Sequence, residues 1–369
     1  MSDAIRYILN YTLPIITCIC LLVFIHAGRT SLLGGISRYF VVGTCLILGV
    51  VVFEIGEHFF GPDYCKQVNW QRWVFSILAY ILRPGIAYIL LLVPLRDKKK
   101  EYALYLAIPL MINALLLFIS PFTGLVFSFD SVNTYSGGPL KSLPFVVSGI
   151  YLATFLVFSF IRTQKYRTSE LITSIPIIIM CCLAVILESE FEMYGSLPQA
   201  CVTGMLLYYM YFCIDCYNKD SLTGAYRRNK FHRDAYSNGY KYFIIFDING
   251  LKRINDNKGH MAGDVALQSF SKSAMNILPK KANLYRIGGD EMGILYYGAS
   301  EDDVLSFLSA LKSSVSVSDL PFGYSYGYAP YDVGVEFNGA YKIADEMMYN
   351  SKNAFWAKFR KNESELSNK

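Results

Sequence analysis

The sequence has too little charge for an ordinary soluble protein of its length. Asp, Glu, Lys and Arg make up 17% of its 369 residues, whereas hydrophobic residues make up 53%. Charged residues account for about a quarter of a typical soluble domain. The deficit is uneven, because the chain is largely apolar before about residue 215 and mixed in character after it. The composition therefore excludes a single soluble domain and predicts a membrane part followed by a soluble part.

The sequence also lacks a disulfide framework, although it contains nine cysteines. Most of them fall inside apolar runs, where cysteine behaves as a small hydrophobic residue. Cys65 lies in a polar break without an evident partner. Cys213 and Cys216 form a C-x-x-C pair, but no second pair or His at ligand spacing accompanies them. We interpret this pair as part of a helix end rather than as a metal or redox site.

The first apolar stretch also lacks the basic n-region and the small-residue cleavage site of a secretory signal peptide, so we expect it to be a membrane span. Further stretches follow that have the roughly 20 apolar residues needed to cross a membrane as a helix. The seven stretches of this kind are 5–27, 39–60, 73–95, 102–119, 143–161, 171–187 and 197–214. They predict an all-α bundle of seven transmembrane helices over residues 1–214.

Basic residues are concentrated in alternate loops between these stretches. The first set of loops contains Arg29, Arg38, Arg96, Lys98, Lys99, Lys100, Arg162, Lys165 and Arg167. The second set has fewer basic residues and carries the acidic segment "ESEFE". Since basic loops stay in the cytoplasm, we expect the N-terminus outside and the soluble part, residues 215–369, inside. This topology also explains much of the net charge of +5 without a nucleic-acid partner.

Three polar residues interrupt the second and third apolar stretches. Glu54 and His58 are four residues apart and share a helix face, and Arg83 lies near the middle of its stretch. Polar residues within a membrane are costly and often functional. Two interpretations remain open: a pocket for a small extracytoplasmic ligand or a proton, or a buried Arg–Glu pair that fixes helix packing.

From Asp220 onward, strand and helix patterns alternate. "KYFIIFDI" is typical of a buried strand, and "HMAGDVALQSFSKSAMNIL" has the apolar spacing of a helix. "ANLYRI" and "MGILYY" predict two strands joined by a Gly-Gly turn. Two more helices and an alternating strand follow. The pattern predicts an α/β domain with helices packed on one sheet.

Acidic residues stand at two strand ends of this predicted sheet. Asp247 ends one strand, and Asp290 and Glu291 follow the Gly-Gly pair of the hairpin. If the strands are neighbours, Asp247 and Asp290 converge, and two carboxylates with a backbone carbonyl suit Mg²⁺. The glycines allow close approach of a phosphate, and Lys252 follows at a helix start where phosphate oxygens bind. The alternative is an acidic surface turn with no ligand.

Five ordered motifs resemble the GGDEF domain of diguanylate cyclases. They are "DSLTGAYRR", "FDINGLKRINDNKGHMAGD", "RIGGDE", "SYGYA" and "ADEMMYNSK", and they extend from Asp220 to Lys352. The apolar half resembles, by hydropathy and general similarity, the seven-helix sensor region of some bacterial histidine kinases and cyclases. Together these resemblances imply a multi-pass protein of the bacterial plasma membrane with its cyclase domain in the cytoplasm.

The resemblance implies a metal-dependent reaction of GTP. Asp247 and Asp290 would hold two Mg²⁺ ions per GTP site, with help from the Ile248 carbonyl, and Mn²⁺ is an alternative metal. Glu291 would sit beside the reacting ribose hydroxyl or the metal. Two GTP molecules would condense into cyclic di-GMP and two pyrophosphates. Each domain would hold one GTP, so catalysis implies a homodimer.

The resemblance also assigns residues to the nucleotide. They are Lys252, Asn255, Asp264, Gly288, Gly289 and Lys352. The two lysines would contact the triphosphate, whereas the asparagine and the aspartate would bind the guanine edge. The glycines would let the backbone come close to a phosphate.

Several positions depart from the family pattern. Asn249 stands where the family usually has Asp, and Met292 replaces a Phe. A Gly-Arg-Asn run is replaced by Phe-Trp-Ala, with Trp356 at the position of the arginine. Pro279 and Ala282 stand where an Arg-x-x-Asp product site would lie, so we expect no feedback inhibition through that site.

Two functions from different classes follow. The first is a membrane-bound diguanylate cyclase gated by a signal that the helix bundle senses. The second is a weakened or inactive GGDEF domain that serves as a nucleotide-binding membrane receptor, which Asn249 and Trp356 favour. A transporter bundle with a regulatory domain is a third and less supported interpretation.

Overall fold

The computed structural model describes residues 3–28, 34–96, 100–166, 170–237, 239–315, 323–331 and 337–367. The chain divides into two compact units, Met1–Ile214 and Asp215–Lys369.

The first unit is helical. Its helices are α1 (Asp3–Ala27), α2 (Gly34–Phe59), α3 (Trp70–Leu92), α4 (Lys100–Leu106), α5 (Ile108–Thr123), α6 (Leu143–Tyr166), α7 (Glu170–Phe191) and α8 (Ser196–Tyr217). In the described residues seven segments are long and apolar enough to span a membrane, with α4 and α5 counted together as Glu101–Thr123. The predicted seven-helix architecture is therefore confirmed.

Large apolar side chains cover much of the outside of these helices. Leu13, Phe122 and Ile172 are more than half exposed. A water-soluble bundle would turn such residues inward, whereas a bundle in lipid can leave them on its surface. Arg29, Lys98, Lys99 and Arg167, which indicated the orientation, lie outside the described residues. The orientation therefore stays a prediction.

The loop between α5 and α6 folds into a short antiparallel hairpin, β1 (Phe127–Phe129) and β2 (Tyr135–Gly137). Asn133 at its tip is fully buried and has a φ of 65°, which asparagine tolerates better than most residues. Arg72 of α3 donates hydrogen bonds to the backbone and side-chain oxygens of Asn133. The loop between α5 and α6 is thus anchored to the helix bundle.

The second unit is a five-stranded sheet with helices on both faces. Its strands are β3 (Tyr226–Arg227), β4 (Tyr240–Ile248), β5 (Ala282–Arg286), β6 (Glu291–Tyr297) and β7 (Tyr324–Pro330). Its helices are α9 (Arg228–Ala235), α10 (Leu251–Lys258), α11 (His260–Ile277), α12 (Glu301–Ser314) and α13 (Phe337–Ser367). The strand order is β3-β5-β6-β4-β7, with β3 and β5 parallel and the other pairs antiparallel.

The central strand β4 is buried on both sides, which explains its continuous apolar sequence. Ile244 and Phe246 face a core that includes Phe270 of α11, whereas Phe243 and Ile245 face a second core built with α9 and α13. β5 and β6 form the predicted hairpin. The α/β fold of this unit is as predicted, and its helices cover both faces of the single sheet.

Candidate active site

The acidic strand ends meet at one end of the sheet. Asp247, near the end of β4, pairs with Glu291, the first residue of β6. The backbone N–H of Ile248 donates to the Asp290 carbonyl at 3.1 Å. Since β4 and β6 are antiparallel neighbours, the end of one strand lies beside the start of the other. The structure thus brings together the carboxylates that the sequence placed 43 positions apart, from residue 247 to residue 290.

Asp247 is a buried carboxylate, and only one of its two oxygens has a hydrogen-bond partner among the described residues. Its Oδ2 accepts a hydrogen bond of 2.7 Å from Lys352 of α13, whereas its buried Oδ1 has no hydrogen-bond partner among the described residues. Burial raises the pKa of Asp247, and the charge of Asp290 raises it further, although Lys352 lowers it in part. A buried oxygen without a donor is costly, and a bound cation would remove that cost.

Glu291 experiences the same excess of negative charge. Burial raises the pKa of Glu291, and the nearby charges of Asp290, Asp247 and Asp345 raise it further. Lys352 opposes this effect only in part. Several carboxylates therefore share one lysine, an arrangement that favours a divalent cation between them.

The Gly-Gly turn is closely packed at its first glycine and open at its second. The N–H groups of Ile287 and Gly288 both donate to the Glu291 carbonyl, at 3.0 and 3.2 Å. A Cβ on Gly288 would lie 2.9 Å from Glu291 Oε2, whereas a Cβ on Gly289 would meet nothing within 4 Å. A side chain at position 288 would therefore have to displace the Glu291 carboxylate. Gly289 leaves open space beside the carboxylates.

Arg286 connects this turn to the first motif of the domain. Its Nη2 donates to the Gly289 carbonyl at 2.9 Å, and its Nη1 donates to Asp220 Oδ1 at 3.1 Å. Asp220 also accepts two hydrogen bonds from Thr223, from its N–H and its hydroxyl. We assigned no role to Arg286 or Asp220 from the sequence. The sequence nevertheless offered a signal for both residues, because Asp220 begins the motif "DSLTGAYRR" and Arg286 begins the motif "RIGGDE".

The residues predicted to bind guanine lie at the junction of α10 and α11. Asn255 packs closely on Gly263, and a Cβ on Gly263 would overlap the Asn255 Oδ1. This oxygen is buried and has no hydrogen-bond partner in the described part of the chain. Asp264 follows Gly263 and is exposed, as is Lys252 near the start of α10. The Asn255 amide oxygen and the Asp264 carboxylate thus lie near one another, and both groups can accept hydrogen bonds from a ligand.

The departures from the family pattern have structural partners of their own. Asn249 is 1% exposed, and its Oδ1 accepts a hydrogen bond of 2.9 Å from Ser325 of β7. The Arg253 guanidinium lies 5.8 Å from the ring centroid of Trp356 and 5.3 Å from that of Phe359. The positive charge of Arg253 therefore lies beside the ring of Trp356, although Trp356 itself carries no charge.

The donor set fits a metal that arrives with its substrate. In the described residues no three His, Cys, Asp or Glu side chains are grouped closely enough to hold a metal ion by themselves. Mg²⁺ commonly uses one or two carboxylates together with water and substrate phosphates. Asp247, Asp290 and the Ile248 carbonyl match this requirement better than that of a preformed metal centre.

In the helical unit, the polar residues separate into two groups. Arg83 binds Glu54 at 2.7 Å and reaches Glu188 at 3.5 Å. His58 instead stacks on Tyr7 with ring centroids 3.6 Å apart. Of the two interpretations left open by the sequence, the buried Arg–Glu pair is present, and His58 makes no contact with Arg83 among the described residues.

Comparisons with known proteins identify the second unit. Residues 217–356 match the family model described as diguanylate cyclase, GGDEF domain. Over 136 residues the chain is 32% identical to the probable diguanylate cyclase DgcI of Escherichia coli K12, a match that covers 36% of this chain and 30% of DgcI. It is 24% identical over 210 residues to an uncharacterized membrane protein of Staphylococcus aureus USA300, covering 51% and 55%. The chain thus spans 30% to 55% of the length of these relatives.

Solved structures of similar domains were also found. One is a microbial GGDEF domain studied with cyclic di-GMP, with 27% identity, a TM-score of 0.34, and coverage of 38% of this chain and 94% of that one. Another is the GGDEF domain of DgcB from Caulobacter crescentus in complex with cyclic di-GMP, with 21% identity, a TM-score of 0.34, and coverage of 37% and 91%.

Proposed function

We propose that this membrane-bound GGDEF protein is a diguanylate cyclase that condenses two GTP molecules into cyclic di-GMP and two pyrophosphates. The observation that carries the proposal is the environment of Asp247. Its buried Oδ1 lacks a partner in the described residues, and Asp290 and Glu291 lie beside it on the neighbouring strand. Such a site is unfavourable without a cation and suits a metal–triphosphate complex.

The metal would be held by Asp247, Asp290 and the Ile248 carbonyl. Two Mg²⁺ ions per GTP, or Mn²⁺ in their place, would supply positive charge for the phosphate oxygens during transfer. Lys252 and the open backbone at Gly289 would receive the triphosphate. Asn255 and Asp264 would bind the guanine edge, because amide and carboxylate oxygens can accept hydrogen bonds from the N–H groups of that base.

The reaction needs a hydroxyl of one GTP close to the α-phosphate of the other. A new bond would form between the ribose 3′ oxygen and the α-phosphorus, and the α–β phosphoanhydride bond would break to release pyrophosphate. Glu291, whose pKa is raised by burial and by its acidic neighbours, would accept the hydroxyl proton. Each domain would supply one nucleotide, so two chains would face each other as a homodimer.

The helical unit would act as the sensor. With basic loops in the cytoplasm, seven spans would put the GGDEF domain on the cytoplasmic side of the bacterial plasma membrane. A signal bound by the bundle would change how two GGDEF domains meet. The sequence between α8 and the first motif is short, from Tyr217 to Asp220, which favours direct transmission of helix movement.

The test is synthesis of cyclic di-GMP by the detergent-purified full chain with GTP and Mg²⁺. We expect Asp290→Ala to reduce product formation by at least about 100-fold, because it removes a carboxylate proposed to hold the metal ions that stabilise charge on the transferred phosphate. Asp302→Ala is the matched control, since Asp302 is an exposed acid in the first turn of α12. Absence of product from a demonstrably dimeric wild-type chain would contradict the proposal.

The alternative function is a nucleotide-binding receptor without turnover. It is favoured by Asn249, which removes a charge usual at this position, and by Trp356, which replaces an arginine. Calorimetry that detects GTP binding while no cyclic di-GMP forms would support this function. Gain of turnover in Asn249→Asp would show that the missing carboxylate is the limiting feature.

A further inference from the structure

A partly open cavity of about 380 Å³ lies in the helical unit, between α2, α3, α6, α7 and α8. Its walls are largely apolar, with Val50, Leu90, Leu152, Ile177 and Met205 among the lining residues. The volume is at the lower end of the roughly 300–1,000 Å³ typical of small-molecule sites. The cavity is separate from the GGDEF unit, and no role has yet been assigned to it.

Arg83 is the one charged residue in the described wall of this cavity. Its Nε and Nη2 donate to Glu54 Oε1 at 3.1 and 2.7 Å, and Nη2 also reaches Glu188 at 3.5 Å. Nη1 makes no hydrogen bond within the described residues. A guanidinium has five N–H donors, so Nη1 retains donors for another acceptor.

The charges around Arg83 indicate which acceptor fits. Two carboxylates, Glu54 and Glu188, already surround one guanidinium. A ligand carboxylate or phosphate would add a third negative charge in a poorly solvated place, which is strongly unfavourable. A neutral oxygen accepts the remaining N–H without adding charge. A pure hydrocarbon would fill the cavity but leave that donor unsatisfied.

We propose that this cavity binds a neutral, mainly apolar molecule through one carbonyl oxygen. The oxygen accepts a hydrogen bond from Arg83 Nη1, and the hydrocarbon part packs against the walls from α6, α7 and α8. This gives the bundle a defined ligand class: a membrane-soluble ketone-type compound. A small polar ligand, which was one of the interpretations left open by the sequence, fits the largely apolar walls less well.

The binding experiment uses the purified full chain and a diazirine derivative of decyl methyl ketone. After illumination, mass spectrometry should locate the label on peptides from α7 and α8. Unlabelled decyl methyl ketone should compete at least about tenfold more effectively than dodecane or dodecanoate, because a hydrogen bond to a charged group exceeds the about 1.4 kcal/mol that a tenfold difference requires. Equal competition by dodecane would show a void for lipid chains, and preference for dodecanoate would show an anion site; either result overturns the proposal.

Gly149 provides a variant that fills the cavity without removing a charge. It lines the wall from α6, and a Cβ there would meet nothing within 4 Å. Gly149→Leu should reduce specific labelling at least about tenfold, since the new side chain occupies the ligand's space. Gly35→Leu is the matched control, because Gly35 is exposed on α2 and its Cβ would also meet nothing. Unchanged labelling in Gly149→Leu contradicts the site, and none of these measurements depends on GTP turnover.

Discussion

Lys352 donates a hydrogen bond of 2.7 Å to Asp247, although the two residues are 105 positions apart in the chain. The contact joins the last helix of the GGDEF unit to its central strand. The ammonium group of Lys352, which is predicted to contact triphosphate, therefore binds Asp247, which is predicted to hold metal. Lys352 therefore compensates part of the carboxylate charge. Its proposed contact with triphosphate would replace this hydrogen bond.

Lys352→Met should lower the rate of cyclic di-GMP synthesis on the order of tenfold, the effect of losing one charge-assisted hydrogen bond. It should also move the acid limb of the pH–rate profile to higher pH. Burial raises the pKa of Asp247 and Lys352 lowers it, so removal of the amine raises that pKa further. Asp247 then becomes protonated at a higher pH than in the wild type.

The control for this variant is Lys358→Met, which changes an exposed lysine on the same helix. It should leave both the rate and the acid limb unchanged. An acid limb that stays in place in Lys352→Met would show that Asp247 does not control it.

Gly289→Ala should weaken GTP binding while the domain keeps its stability. A Cβ at this position meets nothing within 4 Å, so the folded chain accommodates it. It would, however, occupy the open space where a phosphate is proposed to approach the backbone. We expect a KM for GTP raised by at least about tenfold with an unchanged melting temperature, a loss comparable to one hydrogen bond to a charged group. An unchanged KM would exclude close phosphate approach at Gly289.

Gly327→Ala, in contrast, should lower the stability of the GGDEF unit. A Cβ on Gly327 would overlap the backbone carbonyl of Ala344 and would approach the backbone N–H of Met348, both on α13. Since backbone atoms cannot rotate away, α13 must shift, at a cost of about 1–3 kcal/mol. Thermal unfolding of the full chain should show this loss in the GGDEF unit. A wild-type melting profile would mean that α13 packs less closely on β7 than observed.

Asp220→Asn should lower the local stability of β3 and β5 at neutral pH but not at acid pH. Although burial raises the pKa of Asp220, hydrogen bonds from Thr223 and the charge and hydrogen bond of Arg286 lower it below its usual value. A lowered folded-state pKa adds stability above the unfolded value of about 3.9 and loses it as pH falls through the folded value.

Hydrogen exchange at the amides of β3 and β5 measures this effect directly. The difference between Asp220→Asn and wild type should be full at pH 7 and should shrink below about pH 4. Asp302→Asn, an exposed change on α12, should show no difference at either pH. A difference that persists unchanged in acid would rule out a role for the Asp220 charge.

Several parts of the fold were accessible from sequence because their signals are local. Runs of about 20 apolar residues are sufficient to predict membrane-spanning helices. The β5–β6 hairpin was predicted from two strand patterns and the Gly-Gly turn between them. The ordered motifs indicated the GGDEF domain, and the comparisons support that identification.

The contacts that define the candidate site were not accessible in this way. Lys352 reaches Asp247, and Ser325 reaches Asn249, only because β4 lies between β6 and β7 and α13 packs on the same sheet. In the helical unit, the sequence left a ligand pocket and an Arg–Glu pair as alternatives. The pairing of Arg83 with Glu54 needed the relative rotation of α2 and α3, which hydropathy does not specify.

The sequence by itself determined the division into an apolar and a mixed half, the type of most elements, and which residues carry chemistry, since these depend on composition and short-range periodicity. Tertiary structure alone decided which carboxylate receives the lysine, which buried oxygen is left without a donor, and where the helices leave a cavity. Those outcomes depend on contacts between residues far apart in the chain, and such contacts follow from packing of whole elements rather than from any local pattern.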